Sequence, residues 1–298
     1  MRIKRTIPDW IFDIFNHFFL IFWAVICLYP MLYVFFASLS DASLLDANRG
    51  LLIWPLGGIH WEAYRRTLAH PLILSGYINT IFVVVVGTLV NLFMTALGAY
   101  FLSRRNVFWK PFVMVMVVIT MYFGGGLIPN FLVVRHLGLL GSRWALIIPG
   151  AISTWNMIVM RTVFQNVPES IEEAAIIDGA GHFRILALIV LPLSKAVLAV
   201  MALWYGVGHW NSWFSAAIYL NDREMWPIQL VLREVMLHGQ HGGALNEMTT
   251  DVDGWAVHQM ARTIRYAMII VATVPILFIY PFLQKYFMKG VMIGSLKG

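Results

Sequence analysis

Charged residues are scarce in this sequence of 298 residues. Lysine, arginine, aspartate and glutamate together make up 12% of the chain, whereas apolar residues make up 60%. A soluble domain usually carries about 25% charged residues. The composition therefore excludes an ordinary soluble protein and predicts an all-α integral membrane protein.

Cysteine is nearly absent. Cys27 is the only one and lies in an apolar run, which excludes a disulfide framework and a cysteine-based metal cluster. Three histidines and two aspartates are grouped in a polar stretch near the last apolar run, but their spacing matches no zinc motif, so no metal site is predicted. These residues are His238, His241, Asp251, Asp253 and His258.

A nucleotide-binding loop is missing as well. No glycine is followed directly by lysine in the sequence, so the chain has no Walker A motif with which to bind ATP. The run Gly124–Gly126 has no Lys-Ser or Lys-Thr after it and lies within an apolar stretch. We expect this run to break a span or to allow close helix packing.

Long apolar runs are abundant. Since about 20 residues cross the hydrocarbon layer of a bilayer, we place six transmembrane helices at residues 14–40, 75–103, 111–134, 144–162, 185–220 and 266–284. Pro30 is expected to kink the first of them. Residues 1–298 then form a single transmembrane domain.

The basic residues indicate the orientation. Six spans put both termini on one side, which then carries three basic clusters within Arg2–Arg5, Arg104–Lys110 and Lys285–Lys297. Cytoplasmic loops are enriched in lysine and arginine, so we predict that both termini are cytoplasmic. The arginines on the other side lie mostly in long loops, where this rule is weak. The net charge of +6 thus reflects membrane topology rather than nucleic-acid binding.

One polar segment, Val167–Pro192, is flanked by apolar runs on both sides. Pro168 can open a helix, acids would lie near its positive end, and Gly179 and Gly181 are expected to end it. Small residues at helical spacing would form a narrow face. The acids are Glu169, Glu172 and Glu173, and the narrow face is Ile171, Ala174, Ala175 and Asp178. The pattern predicts a helix at residues 168–181 that a partner protein can approach closely.

The order of residues in this segment is specific. Glu173-Ala174-Ala175, then Gly179, then Ile189 and Leu191-Pro192 match without a gap the EAA signature of ABC importer permeases, and the sequence resembles that family over nearly its whole length. The resemblance implies a type I importer permease fold in which this segment is the cytoplasmic coupling helix, which sits in a cleft of a separate ATPase subunit. The alternative is a polar helix that only connects two spans. The residues that the resemblance assigns to ATPase coupling are Glu172, Glu173, Ala174, Ala175, Asp178, Gly179, Leu191 and Pro192.

Polar side chains at membrane depth are costly and are therefore candidates for function. The densest group lies on the predicted fifth span. Aromatic rings beside amide and imidazole groups suit a sugar, but the same group is typical of an aromatic belt at the membrane surface, and His209 could equally be a packing residue. The candidates for a substrate path are Asn79, Asn91, Tyr122, Asn156, Trp204, Tyr205, His209, Trp210 and Asn211.

Other features resemble narrower groups of the family. The pairs Tyr29-Pro30 and Trp210-Asn211 are similar to carbohydrate-class permeases such as the smaller maltose-permease subunit. The long loop before the last span and the ending Gly290–Gly298 resemble the branch that imports alginate and aldouronate oligosaccharides. The resemblance implies a bacterial inner-membrane heterodimer with a second permease, two ATPase subunits that hold ATP and Mg²⁺, and an extracytoplasmic solute-binding protein. It implies no cofactor in this chain, and a neutral oligosaccharide is the alternative substrate.

Two other classes of protein fit less well. An intramembrane enzyme needs paired carboxylates, a metal set or a nucleophile with its base at membrane depth, and the acids here lie at span ends or outside the spans. An ion-coupled secondary transporter usually holds a charge midway along a span, and only Lys195 approaches that position. The external segment 221–262, with a short helix predicted at Ile228–Leu237, could contact a binding protein or be a solvated connector.

Overall fold

The computed structural model describes residues 7–105, 107–237, 247–249 and 255–295, and all regular secondary structure in these ranges is helical. In chain order the α-helices are α1 (Ile7–Ser38), α2 (Ala42–Ala47), α3 (Glu62–Ala69), α4 (Pro71–Ser103), α5 (Lys110–Tyr122), α6 (Leu127–His136), α7 (Thr154–Phe164), α8 (Glu169–Ile177), α9 (His182–Ile185), α10 (Leu191–Leu193), α11 (Lys195–Trp210), α12 (Phe214–Tyr219), α13 (Ile228–Leu237) and α14 (Trp255–Ser295). Short 3₁₀ turns lie at Arg143–Leu146, Ile148–Gly150 and Arg223–Met225, and a π-helical turn lies at Leu186–Val190. The all-α class is confirmed, and α13 has the predicted bounds.

Three of these helices are long and apolar enough to cross a membrane alone: α1, α4 and the part Gln259–Phe278 of α14. Three further candidates are helix pairs bent by 115° between α5 and α6, by 51° between Arg143–Gly150 and α7, and by 87° between His182–Leu193 and α11. The described residues therefore contain three candidate spans, or up to six if each bent pair counts as one. The spans predicted at 111–134, 144–162 and 185–220 thus coincide with bent helix pairs rather than with single straight helices.

Local chemistry explains the breaks. Gly126, at the bend between α5 and α6, has a φ of 84°, which glycine adopts without a Cβ clash. Pro149 precedes α7 and lacks the N–H that a continuous helix would need, and the Ser153 hydroxyl accepts from the Asn156 N–H at the start of α7. Pro192, which likewise lacks an N–H, interrupts the helix before α11. The glycine run Gly124–Gly126 was expected to break a span and lies at the first bend, whereas the other two bends were not predicted.

Two predicted boundaries also differ. The second span was expected to begin at residue 75, but α4 begins at Pro71, a residue that suits a helix start. The last span was expected to begin at Tyr266, but α14 begins at Trp255. Arg262 and Arg265 interrupt the charge-free run on which the prediction rested, whereas arginine is a good helix former. Two prolines, Pro275 and Pro281, lie inside α14.

The sequence predicts a single domain, whereas the contacts of the described residues divide them into two compact units. The first unit comprises described residues of Met1–His70 and Glu234–Thr273, and the second comprises those of Pro71–Arg233 and Val274–Gly298.

The first unit has a small apolar core beside several polar contacts. Ala37, Leu45 and Leu52 are buried together, and Tyr33 and Tyr266 pack against them. Further contacts join elements distant in sequence: Ser38 Oγ lies 2.7 Å from Tyr64 Oη, and His70 Nε2 lies 2.8 Å from Glu247 Oε2. Many apolar side chains of α1 are exposed, as expected for a helix that faces lipid or a partner.

The second unit is built on α4, which packs against α7 and α11. Its larger core cluster lies between these helices and the segment after α8. Its second cluster joins the first half of α4 to the 3₁₀ turn at Arg143–Leu146 and to α12. Fully buried members are Ala99, Met160, Phe164, Ile185, Val190 and Met201 in the larger cluster, and Ile147 and Ala216 in the second. This packing positions α8 and the polar side chains of α4 and α11.

Candidate functional site

The segment predicted to dock forms a helix, α8, which is shorter than the predicted 168–181. It begins after Pro168 and ends at Ile177. Gly179 has a φ of 80°. Its N–H donates to the Ile176 carbonyl, and the Ala180 N–H donates to the Ala175 carbonyl. This pair of bonds is the Schellman closure of a helix. Gly181, with a φ of −73°, instead precedes α9 as its N-cap, so only one of the two glycines is a left-handed cap.

The two alanines of the EAA signature lie in different environments. Ala174 is exposed, whereas Ala175 is half-buried and packs against the larger core cluster. Glu173 and Asp178 are exposed, and Ile177 is 85% exposed. The predicted narrow face that included Ala175 therefore needs correction, because Ala175 packs against the core whereas Ala174 is exposed. The exposed surface of α8 presents an acid, a small residue and a large apolar residue.

Glu172 is directed into the protein. It is buried and forms an ion pair with Arg104, which follows α4. Arg104 also donates from Nη2 to the Phe164 carbonyl at 3.1 Å, and its guanidinium carbon lies 4.8 Å from the centroid of the Tyr100 ring. Burial lowers the pKa of Arg104, but arginine stays charged in proteins. Sequence reasoning treated Arg104 only as a basic loop residue, and no local spacing could have linked it to Glu172.

The Leu-Pro end of the signature lies at a sharp turn. After α9 the chain forms the π-helical turn Leu186–Val190 and the short α10, and then bends by 87° into α11. Pro192 has no N–H to bond the carbonyl four residues earlier, which favours an irregular turn. Leu191 is half-buried in the larger core cluster and Pro192 is exposed. The pair therefore marks the place where the EAA segment joins α11.

Asn91 and His209, two substrate-path candidates, lie next to each other. His209 Nε2 lies 2.6 Å from Asn91 Oδ1, and Asn91 Nδ2 donates to the Gly150 carbonyl at 2.6 Å. The imidazole lies over Gly87, where an added Cβ would be 2.6 Å from His209 Nε2. Asn91 thus joins α4 to α11 and to the turn before α7. The close approach of His209 to α4 requires a glycine at position 87.

Two further candidates also make internal hydrogen bonds. Tyr205 Oη lies 2.7 Å from Thr95 Oγ1 and accepts a bond from the Ser153 N–H at 3.1 Å. Asn79 Nδ2 donates to the carbonyls of Glu224 and Trp226 at 2.7 and 3.2 Å. Both side chains are buried and join α4 to other segments of the second unit.

The remaining candidates are dispersed. Tyr122 is 77% exposed, Trp204 is 39% exposed and Asn211 is also exposed. Asn156 is buried at the start of α7, and Trp210 is buried with an Nε1 that has no hydrogen-bond partner among the described residues. The nine candidates are thus not gathered at one site.

A metal centre does not form from the described residues, where no three His, Cys, Asp or Glu side chains come close enough to hold an ion. His238, His241, Asp251 and Asp253 lie outside the described residues, as does the side chain of His258.

Comparison with known proteins identifies the class. The model of the family "binding-protein-dependent transport system inner membrane component" matches residues 102–293. The chain belongs to this family and is a permease subunit of an ABC importer, a translocation component rather than an enzyme. Such subunits work in general with a partner permease, an ATPase and a solute-binding protein.

Individual relatives extend over nearly the whole chain. The polygalacturonan/rhamnogalacturonan transport system permease protein YtcP of Bacillus subtilis is 41% identical over 290 residues, which cover 97% of this chain and 99% of the relative. Protein LplC of the same organism is 40% identical over 292 residues, which cover 97% and 95%. The crystal structure of a bacterial ABC transporter involved in the import of the acidic polysaccharide alginate contains a chain that is 31% identical, with a TM-score of 0.83, covering 96% of this chain and 99% of that one. The permease fold is therefore confirmed.

Proposed function

We propose that this chain is one of two different permease subunits through which fragments of an acidic polysaccharide cross the bacterial inner membrane. The observation that carries the proposal is the 41% identity, over 97% of the chain, to a permease named for polygalacturonan and rhamnogalacturonan. The likeness to a chain of an alginate importer supports the same substrate class. Both are uronate-containing polymers, so the shared chemical feature is a sugar that carries a carboxylate.

In the proposed arrangement the chain crosses the membrane six times, and both termini and α8 lie in the cytoplasm. Two ATPase subunits bind ATP with Mg²⁺, and an extracytoplasmic binding protein delivers the oligosaccharide. The exposed surface of α8 docks on the ATPase. Glu173 pairs with a basic group there, Ala174 allows close approach, and Ile177 supplies an apolar contact. Closure of the ATPase dimer would move α8 and, through the turn at Leu191-Pro192, α11.

The substrate path is proposed to lie at the interface of the two permeases. Of the nine candidates, Tyr122, Trp204 and Asn211 are exposed and are therefore available to an oligosaccharide. Asn79, Asn91, Tyr205 and His209 direct hydrogen bonds to groups of the same chain, which favours a role in holding the helices.

The test is ATP hydrolysis by the complete complex, reconstituted in lipid with its partner permease, ATPase and binding protein. We expect oligogalacturonates or alginate oligosaccharides to stimulate hydrolysis and malto-oligosaccharides to have no effect. Stimulation by malto-oligosaccharides alone would contradict the acidic substrate but not the permease role. No stimulation by any of the three would remove the carbohydrate assignment.

A further inference from the structure

A cavity of about 390 Å³ lies within the first unit. Its lining residues come from α2, α13 and α14, and they are Asp46, Met236, Ala261, Arg262, Arg265 and Tyr266. Small-molecule sites in proteins have volumes of about 300 to 1,000 Å³, so the cavity is large enough for a ligand. None of its lining residues is among the nine candidates for the substrate path.

The charges in this cavity do not balance. Arg262 Nη1 lies 3.2 Å from Asp46 Oδ1, so that guanidinium has a carboxylate partner. Arg265 has a buried Nε with no hydrogen-bond partner among the described residues. Among the described lining residues, two guanidinium groups thus face one carboxylate, which leaves one positive charge. A buried donor without an acceptor is costly, and an anionic ligand would supply the acceptor.

The wall also includes an aromatic ring. Tyr266 follows Arg265 in α14, and its ring packs edge-on against Tyr33 with a centroid separation of 6.0 Å. Aromatic rings provide the apolar contact area that sugar rings use, and guanidinium groups bind carboxylates through two parallel hydrogen bonds. An arginine beside an aromatic wall therefore fits a sugar carboxylate better than it fits a phospholipid, whose acyl chains need a long apolar groove.

We propose that this cavity binds the carboxylate of one uronic acid residue of the transported oligosaccharide, with Arg265 as its ion-pairing partner. Asp46 holds Arg262 in place beside it, and Tyr266 contacts the sugar ring. The inference rests on the proposed function, because it assigns a residue of this chain to the recognition of that substrate class.

The experiment compares the wild-type complex with the variants Arg265→Gln and Arg265→Lys in nanodiscs of zwitterionic lipid. The measured quantity is the concentration of trigalacturonate that gives half-maximal stimulation of ATP hydrolysis in the presence of the binding protein. We expect Arg265→Gln to raise this concentration by about tenfold or more, as loss of a charged hydrogen bond predicts. Arg265→Lys keeps the charge but loses the planar fork, so its effect should be smaller.

Arg65→Gln is the matched control, because Arg65 is an exposed arginine of the same unit that does not line the cavity. It should leave the half-maximal concentration unchanged. Equal values for Arg265→Gln and Arg65→Gln would overturn the site. If the ligand-free binding protein binds the Arg265→Gln complex more weakly than the wild-type complex, the partner of Arg265 is instead a carboxylate of the binding protein. If Arg265→Gln changes the half-maximal concentration only in nanodiscs that contain anionic phospholipid, the ligand of the cavity is a lipid headgroup.

Two results distinguish a failure of the proposed function from a failure of this inference alone. A wild-type complex that does not respond to trigalacturonate removes the proposed function and this inference together. A wild-type complex that responds, with an Arg265→Gln complex that responds equally, removes the inference alone. If Arg265→Gln fails to assemble with its partners, Arg265→Lys carries the test, and a wild-type response from it would then overturn the site.

Discussion

Arg104 and Glu172 form an ion pair in which the side chains are only 18% and 9% exposed. The pair links α8 to the end of α4, while the covalent chain links α8 to α11 through the turn at Leu191-Pro192. Since α4 and α11 pack against each other, α8 is attached to both helices of one packed pair. We therefore expect a displacement of α8 to act on both helices and not on α11 alone.

Removing one partner of this pair should destabilise the protein and misplace α8. We expect Arg104→Gln to lower the free energy of unfolding by about 3–5 kcal/mol, because it leaves a buried carboxylate without its partner. The melting temperature of the purified permease pair in detergent measures the loss, and co-purification of the ATPase measures the position of α8.

Arg105→Gln is the control for that experiment. Arg105 forms a similar pair with Glu169 at 3.2 Å, but the two side chains are 81% and 52% exposed, so the cost should be below about 1 kcal/mol. The double variant Arg104→Gln with Glu172→Gln should be less destabilised than the sum of the two single variants. Additive losses would mean that the two residues act independently.

Ala174 and Ala175 should respond differently to the same substitution. Ala174 is exposed, so Ala174→Arg should prevent the ATPase from docking while the permease melts as the wild type does. Ala175 packs against the larger core cluster, so Ala175→Arg should also lower the melting temperature, because overpacking costs about 1–3 kcal/mol. Gln165→Arg, on an exposed residue outside α8, is the control and should leave both quantities unchanged. ATPase binding that survives Ala174→Arg would exclude this surface as the docking face.

The EAA segment shows how far the sequence predicts this structure. The helix, its start after Pro168 and its left-handed cap at Gly179 follow from local chemistry, since proline and glycine restrict the backbone wherever they occur. The direction in which each side chain of α8 points depends on the packing of distant residues. Ala175 and Glu172 turn inward because the larger core cluster and Arg104 lie on that side, and no local pattern encodes this.

The environment of the substrate-path candidates also depends on distant residues. A polar residue in an apolar run is costly in lipid and is expected to have a partner, but the sequence does not say whether the partner is substrate or backbone. Asn79, Asn91 and Tyr205 have acceptors or donors within the chain. Arg265, by contrast, lies just outside the predicted spans, among the external arginines whose charge suits an acidic polysaccharide. The sequence alone does not separate that role from contact with the binding protein or with lipid headgroups.

The close contact between Gly87 and His209 predicts that substitution by alanine destabilises the protein at Gly87 but not at Gly208. In Gly87→Ala the new Cβ would lie 2.6 Å from His209 Nε2, which forces the imidazole away from Asn91 and costs about 1–3 kcal/mol. Gly208→Ala is the matched change on α11, where nothing lies within 4 Å of the added carbon, and it should stabilise the helix by about 0.5–1 kcal/mol. Melting temperatures of the two variants test this, and equal shifts would contradict the tight packing at Gly87.

Asp41 should make the stability of α2 depend on pH. Its carboxylate accepts from the Ser43 and Leu44 N–H groups at 2.9 and 3.2 Å. A hydrogen bond from the Ser43 hydroxyl is the largest cause that lowers the pKa of Asp41 below its usual value. Because the folded pKa is depressed, the stabilisation is present above the unfolded pKa of about 3.9 and is lost as the pH falls through the folded value.

Asp41→Ala should therefore weaken α2 by about 1 kcal/mol at neutral pH, as loss of an N-cap does. Hydrogen exchange of the Ser43 and Leu44 amides, corrected for the intrinsic rate at each pH, measures this. The difference from the wild type should shrink as the pH falls below about 4, the unfolded pKa of aspartate, and on through the lower folded value. Asp41→Asn caps a helix about as well as aspartate and does not titrate, so its protection should stay constant across the same range. A difference between the wild type and Asp41→Ala that is the same at pH 3 and pH 7 would show that the carboxylate charge does not stabilise α2.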